Sequence, residues 1–427
     1  MADTRYWLGA AIPVPEVKSY EFAGTWLATE TATITINGKT LTLTAGTVVT
    51  VTQMAADMVD MINGAAANQD EGRSALGSAI GEFAPLTATS DAGVVLITGA
   101  DDGRPIGTVT VGHTSAGGTF AASTPETVTS GTGPNYADDI DNWSGDTVPI
   151  AGDTIVFDHH AAAGPKYNMA MGIAPASIQV TDGFRYGIGL SQVNKDAAAH
   201  PFDEHLPTYM TFTSCADVRV NAVNAASIRL DFGAAASAIT VESTGRSSET
   251  GVPALLLKAN HGSNSLNVVN GDVGVCVEAG SVGELGTLSI GGQGAPSVKT
   301  GPGVVLAAAT VNSGSLVARS AITNLVVNGG TVEQIGAAIG TTTLTINGGA
   351  FFPRSSGTHA AVYQSAGIID CTRDGQTRTV TNYYMYGGAL KDPNGTLTLT
   401  NGLRIYPKLS AVALDLPPIR KYTLGAV

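Results

Sequence analysis

A short phrase ending in glycine returns seven times between residues 262 and 406, and it constrains the fold more than any other feature of the sequence. The phrase reads VVNG at 268–271, VNGG at 327–330 and INGG at 346–349. Measured between the last glycines, the spacings are 21, 22, 16, 19, 18 and 21 residues. The glycines that close the phrases are Gly271, Gly292, Gly314, Gly330, Gly349, Gly367 and Gly388.

The residues around each phrase alternate between apolar and polar side chains. TTTLTI at 341–346 precedes one phrase, and TVEQI at 331–335 follows another. A loose period near 20 residues, built from short strands and Asn/Gly turns, predicts a stacked β-solenoid, or β-helix. One coil cannot bury its own inward face, so coils stack into a continuous apolar column. We expect Asn and Gly at the corners because both tolerate a positive φ.

A leucine-rich repeat is the competing interpretation at this period. It requires a fixed leucine spacing and one fixed asparagine per unit, and the sequence shows neither. The predicted fold class is therefore mainly β: a C-terminal β-solenoid of about 20 residues per coil, preceded by a small α+β module and an extended N-terminal arm.

The composition suits this fold and restricts the function. The 427 residues are 43% apolar and only 13% charged, and the net charge is −13. A protein that binds nucleic acid needs a basic face, so we expect no nucleic-acid partner. No apolar run is long enough to span a bilayer, so we expect no membrane insertion.

The chain divides into six predicted segments. They are an extended arm (1–30), a small α+β attachment module (31–112), a linker rich in Ser, Thr, Gly and Ala (113–134), the capping and first coils (135–261), the regular β-helix (262–406) and a C-terminal tail (407–427). The aromatic residues of the arm need something to pack against: the next domain, another subunit or a larger assembly.

The module is predicted as ββαβββ. Two strictly alternating stretches, 31–36 and 39–44, flank Asn37-Gly38, a strong hairpin signal. A helix over 53–68 places a stripe of methionines on one face, where core packing is the favoured role. Strands are then expected at 83–87, 94–98 and 106–111. In the next segment, Trp143 precedes a strand at 153–158 and is placed to close the open end of the column.

Solenoids can cleave polysaccharides with paired carboxylates, so acidic residues of the repeat region are the first candidates for chemistry. They do not recur at one position per coil, so we expect solvated side chains and no catalytic pair. These residues are Asp272, Glu278, Glu284, Glu333, Asp370, Asp374 and Asp392.

Histidines offer the other candidates. His200, Asp203, Glu204 and His205 lie within six residues, but Pro201 favours a loop over the helical spacing of a metal motif. His159-His160 lies upstream. Cys215, Cys276 and Cys371 lack metal-type spacing, and we expect buried free thiols. No nucleophile elbow or nucleotide fingerprint is present, so we predict no enzyme, no catalytic residues, no metal and no cofactor.

Two stretches resemble known proteins. The hairpin at 33–39, the helix, and the stretches 83–89 and 94–99 resemble a small module of tailed-phage virion proteins, found in sheath, tube and surface proteins. Asn142-Trp143-Ser144, followed by VP at 148–149 and DTIVF at 153–157, resembles the entry coil of autotransporter-type β-helices and phage β-helical surface proteins. The layout is similar to phage and prophage structural proteins, which implies a virion component, often a homotrimer, with no catalytic residues.

The chain departs from secreted autotransporters. The sequence at 1–5 lacks the basic and apolar regions of a signal peptide, and no barrel-type strands precede Val427. We therefore expect assembly in the host cytoplasm and a place on the virion surface.

The first functional hypothesis is a non-enzymatic phage structural protein, a capsid decoration protein or head fibre in preference to a tail component. Residues 1–112 would contact the major capsid protein or other virion proteins, and a trimeric β-helix would project. The alternative is a tailspike or receptor-binding adhesin that binds, and could cleave, host surface glycans. Aromatic side chains for stacking on sugars would come from Trp143, Tyr363, Tyr383, Tyr384 and Tyr386. A solenoid enzyme free in solution is the third and least favoured hypothesis.

Overall fold

A computed structural model describes most of the chain. It covers residues 2–46, 49–64, 74–76, 83, 85–114, 121–190, 208–245, 251–406, 412–417 and 423–424. The protein is mainly β, with a solenoid of about 11 turns and ~21 residues per coil and a small N-terminal α+β module. The predicted fold class is confirmed.

The first third of the described chain contains ten strands and one α-helix. They are β1 (Thr4–Tyr6), β2 (Val17–Ala23), β3 (Thr31–Ile36), β4 (Lys39–Thr44), α1 (Val51–Ile62), β5 (Ser74–Leu76), β6 (Thr87–Asp91), β7 (Val94–Thr98), β8 (Val109–Thr114), β9 (Ala121–Ala122) and β10 (Glu126–Thr129).

The rest contains a short 3₁₀ helix (Ile140–Asn142) and 25 described strands. They are β11 (Thr154–Phe157), β12 (Ser177–Val180), β13 (Met210–Thr211), β14 (Asp217–Ala222), β15 (Ile228–Asp231), β16 (Ala238–Thr244), β17 (Leu255–Lys258), β18 (Asn260–Val268), β19 (Asp272–Val275), β20 (Val282–Ile290), β21 (Ser297–Thr300), β22 (Gly303–Val311), β23 (Ser315–Ala318), β24 (Ile322–Val327), β25 (Thr331–Gly336), β26 (Thr341–Ile346), β27 (Ala350–Ser355), β28 (Thr358–Gln364), β29 (Ile368–Asp370), β30 (Arg378–Met385), β31 (Gly388–Lys391), β32 (Leu397–Leu399), β33 (Leu403–Ile405), β34 (Val412–Asp415) and β35 (Thr423–Leu424).

Two parallel sheets form the solenoid. The long sheet has the order β1-β11-β12-β14-β16-β18-β20-β22-β24-β26-β28-β30-β33-β35, and β32 also pairs with β30. The short sheet has the order β13-β15-β17-β19-β21-β23-β25-β27-β29-β31-β34. From β12 to β34, each coil contributes one strand to each sheet, and each of these strands pairs with its counterpart in the next coil.

The register of the long sheet reproduces the period of the sequence. Val268 pairs with Ile290, which pairs with Val311, and that residue pairs with Val327, which pairs with Ile346. These steps of 22, 21, 16 and 19 residues are the spacings of the glycine phrases at nearly the same places. The repeat in the sequence is therefore the coil of the solenoid.

A single apolar column fills the interior from Trp7 to Ile405. Inward positions alternate with outward ones along each strand, as the pleat requires. In β26, for example, Leu344 and Ile346 are buried while Thr345 between them faces outward. Burial of these inward side chains between neighbouring coils contributes most to the stability of the solenoid, since no coil can bury its own inward face.

The corners follow the prediction for glycine but not for asparagine. Gly330, Gly349 and Gly367 have φ of 69°, 66° and 70°, which a side chain would strain. The asparagines of the same phrases do not adopt a positive φ. Asn328 instead donates from Nδ2 to Asn312 Oδ1 at 2.8 Å, and Asn347 donates to Asn328 Oδ1 at 2.9 Å. They form a ladder of amides along the solenoid.

The α+β module has a core of its own, separate from the column. Its sheets have the orders β10-β2-β7-β6, with β9 on β2, and β5-β4-β3-β8. The predicted hairpin is confirmed as β3 and β4, with Asn37 and Gly38 at φ of 49° and 81°. The methionine stripe of α1 is buried in this core, at Met54, Met58 and Met61.

The module differs from the predicted ββαβββ in several bounds. The helix begins at Val51, after a capping box formed by Thr50 and Gln53, and ends at Ile62 because Asn63 and Gly64 form a turn. The strand expected at 83–87 begins at Thr87, since Phe83 and Pro85 lie in a turn and proline has no N–H to donate to a ladder. The strand expected at 106–111 is β8, at Val109–Thr114.

The N-terminal arm is shared between the two cores. Its first strand, β1, pairs in parallel with β11 and forms the edge of the solenoid's long sheet. Trp7 joins the column, whereas Tyr20, Phe22 and Trp26 belong to the module core. The module is therefore inserted between the first two strands of that sheet.

Two other segments contain more structure than predicted. The stretch interpreted as a linker (113–134) includes β9 and β10, and both pair with β2 of the arm. The stretch interpreted as a tail (407–427) includes β34 and β35, which extend the short and long sheets. In both cases a neighbouring strand edge supplies the pairing, although these segments have weak patterns of their own.

Candidate functional site

Two tryptophans are buried together at the junction between the module and the solenoid. Trp7 from the arm and Trp143 from the entry coil are both fully buried, with ring centroids 5.0 Å apart in an edge-to-face arrangement. Phe157 of β11 lies beneath both rings, at 6.4 and 6.3 Å. Trp7 donates its indole N–H to Ala163 O at 2.6 Å, and Trp143 donates to Ala137 O at 2.8 Å.

These contacts close the first coil. The prediction that Trp143 covers the end of the column is confirmed, but the sequence did not reveal that Trp7 is its partner. The partner was not foreseen because 135 residues of chain separate the two tryptophans and no local pattern links them.

A buried carboxylate fastens β1 to the solenoid. Asp153 is 1% exposed and accepts hydrogen bonds from the backbone N–H of Asp3 at 2.9 Å and of Ile150 at 3.0 Å. The Arg5 guanidinium approaches the same carboxylate at 3.5 Å. Burial alone would raise the pKa of Asp153, but these donors and the charge of Arg5 outweigh it and hold the pKa below its usual range.

The two chain segments that lead into and out of the module run side by side. Val14 and Thr132 exchange backbone hydrogen bonds of 3.0 and 3.1 Å. The buried Asn142 amide accepts from Ala11 N at 2.9 Å and donates to Gly133 O and Tyr136 O, both at 2.8 Å. The junction is therefore a two-stranded connection held by the Val14–Thr132 backbone hydrogen bonds and by the Asn142 side-chain amide.

The acidic residues of the repeat region occupy structural positions. Glu278 pairs with Lys258 at 3.2 Å, and Glu333 contacts both Arg354, at 3.1 Å, and Arg373. A further pair joins Asp374 to the buried Arg378.

The remaining contacts of these acids are local. The expectation of a solvated side chain is wrong for Asp392, which is buried and accepts the backbone N–H of Thr396 and Leu397. Asp370 accepts the backbone N–H of Thr372. Asp272 and Glu284 lie on β19 and β20, at partly exposed positions. Ion pairs and turn hydrogen bonds, rather than a shared cleft, therefore account for the contacts of most of these acids.

Tyrosines gather near the last coils. Tyr363 and Tyr384, paired in register on β28 and β30, stack with centroids 5.1 Å apart. Tyr386 and Tyr406 form a second stacked pair at 5.3 Å. Tyr363 is 39% exposed and Tyr386 is 37% exposed, whereas Tyr383 is buried and donates to Gln364 Oε1. The cluster therefore divides between core and surface, and the expectation that Tyr383 and Trp143 stack on sugars is wrong because both are buried.

One histidine pair lies close to a carboxylate. Asp158, His159 and His160 follow β11, and their ligand atoms all lie within 4.8 Å of one another. His160 Nδ1 is 2.9 Å from Asp158 Oδ1, and Asp158 also accepts the His160 N–H at 2.9 Å. The contacts are those of a polar turn, with both imidazoles largely exposed. His200, Asp203, Glu204 and His205 lie outside the described residues.

The three cysteines are buried free thiols, as predicted. Burial raises the pKa of Cys215 to about 11 and of Cys371 to about 12, so both remain protonated at neutral pH. They behave as small core residues.

Comparison with known proteins assigns no family. No protein-family model matches the chain, and a search of curated proteins finds no match. Among the described helices, none is both long enough and apolar enough to cross a bilayer.

Proposed function

We propose that the protein is a non-enzymatic structural component on the exterior of a phage particle, attached through its N-terminal part and projecting a trimeric β-helix. Within this class we propose a capsid decoration protein or head fibre. The β-helix fold is compatible with a fibre, spike or adhesin. The observation that carries the proposal is the placement of the module: a separately cored body inserted at the first coil of the solenoid.

This placement suits attachment and projection. The module connects to the solenoid at both of its chain ends, and Val14 pairs with Thr132 at that connection. The long sheet then stacks 14 strands in register, which at the usual ~4.8 Å spacing makes a stack of about 60 Å. Backbone hydrogen bonds run along this direction and resist bending and proteolysis.

The outer face of the long sheet has features that favour the proposed self-association. One outward column of residues, paired in register over six coils, is uncharged and mostly small. It consists of Thr240, Asn267, Ser289, Thr310, Val326 and Thr345. Interface centres are depleted of charge, and symmetric closure would cover a flat face that otherwise invites aggregation.

Immunogold labelling tests the proposal. An antibody raised against the folded protein is applied to intact particles purified from a lysate of the source culture. We expect gold on the particle exterior at regular positions. Absence of the chain from the particles, or labelling only after particle disruption, contradicts the proposal.

A second candidate, a receptor-binding adhesin for host surface glycans, is favoured by the exposed tyrosine pairs near the last coils. Its test is binding to host cells by wild type and by Tyr363→Ala. Loss of cell binding in the variant supports the adhesin, and equal binding removes the tyrosines from consideration.

A further inference from the structure

The turn that follows β11 brings two imidazoles and one carboxylate together. The strand ends at Phe157, and the next three residues are Asp158, His159 and His160. One ligand atom from each of these three side chains lies within 4.8 Å of the other two. Imidazole nitrogens and carboxylate oxygens are the usual ligands of zinc and related divalent transition-metal ions. The chemistry of this turn therefore points to a metal ion.

The distances within the turn are close to those between the ligands of one ion. His160 Nδ1 lies 2.9 Å from Asp158 Oδ1, and His159 Nδ1 lies 3.9 Å from Asp158 Oδ2. Two ligand atoms that share a zinc ion at about 2.0–2.2 Å lie roughly 3.0–3.5 Å apart. The side chains of His159 and His160 are 71% and 53% exposed, so their rings can rotate to that separation without disturbing the core.

The backbone holds the Asp158 carboxylate in position. Asp158 Oδ1 accepts the backbone N–H of His160 at 2.9 Å, and the N–H of Ala161 donates to Asp158 O at 3.3 Å. Gly183 lies against this turn, and a Cβ at Gly183 would lie 3.0 Å from both the N and the Cβ of His159. The turn therefore combines a fixed carboxylate with two movable imidazoles.

Among the described residues, Asp158 has no lysine or arginine as an ion-pair partner. It is 8% exposed, and the basic groups within ion-pair distance are His159 and His160, which are charged only when protonated. A buried carboxylate is stabilised by a positive charge beside it. A metal ion supplies that charge while the imidazoles are neutral, which is the state in which they coordinate metals.

The same turn supports the docked arm. The His160 ring meets the Tyr6 ring edge-on, with centroids 5.8 Å apart, and the N–H of Ala162 donates to Leu8 O at 2.7 Å. An ion that cross-links residues 158–160 would therefore stabilise the segment against which β1 packs.

We propose that Asp158, His159 and His160 bind one divalent transition-metal ion of the zinc class, and that the ion stabilises the first coil. Three protein ligands leave a coordination position for water. Magnesium and calcium prefer oxygen ligands and fit two imidazoles poorly. The site belongs to one chain, so it depends neither on the proposed trimer nor on a place in a particle.

Titration calorimetry of the full chain with zinc chloride tests the proposal. We expect saturable binding of zinc by the wild type, and magnesium chloride in excess should not displace it. The variants His159→Ala and His160→Ala are each expected to weaken zinc binding at least tenfold, the order of loss seen even for groups that only support a metal ligand. His261→Ala is the control, since it removes a partly exposed histidine on β18 and should bind zinc like the wild type.

Thermal unfolding provides a second measurement. An ion that binds only the folded chain raises the unfolding midpoint. Zinc should therefore raise the midpoint of the wild type and of His261→Ala, and it should raise that of His159→Ala much less. Circular dichroism without zinc verifies that all three variants fold, which is expected because none of the three side chains is buried.

Three outcomes overturn the proposal. They are no binding of zinc at millimolar concentration, unchanged zinc binding in both His159→Ala and His160→Ala, and displacement of zinc by magnesium at equal concentration. An equal loss of zinc binding in His261→Ala would also overturn it, because the effect would then reflect the number of histidines and not this turn.

Discussion

Gly349 shows what a corner of the solenoid demands of a single residue. Its φ is +66°, and a Cβ at this position would lie 2.5 Å from Gly330 O of the coil below. Gly402 has a similar φ of +78° but has open space around it. The two positions separate backbone strain from steric contact between coils.

We expect Gly349→Ala to destabilise the protein much more than Gly402→Ala. The second variant should cost about 1–2 kcal/mol, the usual strain of a left-handed residue. The first adds a backbone clash that moves two coils apart. Denaturant unfolding of both variants checks this, and equal losses would show that coil contact at Gly349 is unimportant.

We expect the folded protein to lose stability in acid because of the buried His359. This residue is 2% exposed, and its ring packs against Phe351. Its Nδ1 shares a hydrogen bond of 2.8 Å with Thr341 Oγ1. Burial, together with the nearby Arg378 charge, lowers its pKa to about 4. In the unfolded chain the His359 imidazole binds a proton near pH 6.5, whereas in the folded chain the same imidazole binds it only near pH 4.

The stability contributed by neutral His359 is therefore fully present above about pH 6.5 and is lost as the pH falls towards 4, by about 3 kcal/mol in total. Unfolding midpoints measured across this window check the expectation. His359→Asn, which keeps a group able to bond Thr341, should flatten the dependence, and His261→Asn, at a more exposed site, should not. A wild-type profile that is already flat would contradict it.

Single residues differ in whether their role could be predicted from the sequence. Glycine at the corners was predictable because a positive φ is a property of one residue. The role of Asn328 was not, because its ladder with Asn312 and Asn347 joins three coils and exists only once they are stacked. The same holds for Asp153 and Asn142, because each has a backbone partner that is distant in the chain, Asp3 N and Ala11 N respectively.

Among the elements, β1 decides how the molecule can be dissected. A chain that starts at residue 134 loses β1, Trp7 and the Arg5–Asp153 contact, and it exposes Trp143 and Phe157. A better deletion removes 15–131 and joins Val14 to Thr132 by an Asn-Gly dipeptide. This pair is already hydrogen-bonded in both directions, as a two-residue hairpin requires.

We expect the internal deletion to unfold within a few degrees of the full chain's solenoid transition, and the truncation at 134 to unfold earlier or aggregate. Circular dichroism melts at equal concentration check this, with the full chain as the reference. If the truncated chain is as stable as the internal deletion, β1 does not cap the column.

The elements themselves were largely visible in the sequence. The alternation of apolar and polar residues and the glycine spacing predicted the coils of the regular β-helix, and Asn37-Gly38 predicted the hairpin. The short strands β1, β10, β34 and β35 were not predicted, because they form by pairing with an existing sheet edge and have no strong pattern of their own. For the same reason the insertion of the module remained hidden.

The whole molecule is a stack of coils with the α+β module inserted at its first coil. Among the described residues, one cluster of buried apolar side chains extends from Trp7 to Ile405, and the module keeps a separate core. The proposed function needs two further properties, self-association through the solenoid and contact with other proteins through the module. The first can be measured on the purified protein.

Sedimentation equilibrium of the full chain and of the internal deletion tests this most directly. We expect both proteins to form trimers, with the full-chain particle at three times the 43.2 kDa monomer mass. Trimers in both samples place the subunit contacts on the solenoid and leave the module available for a particle. A monomer in both samples would contradict the projecting trimer that the proposed function requires.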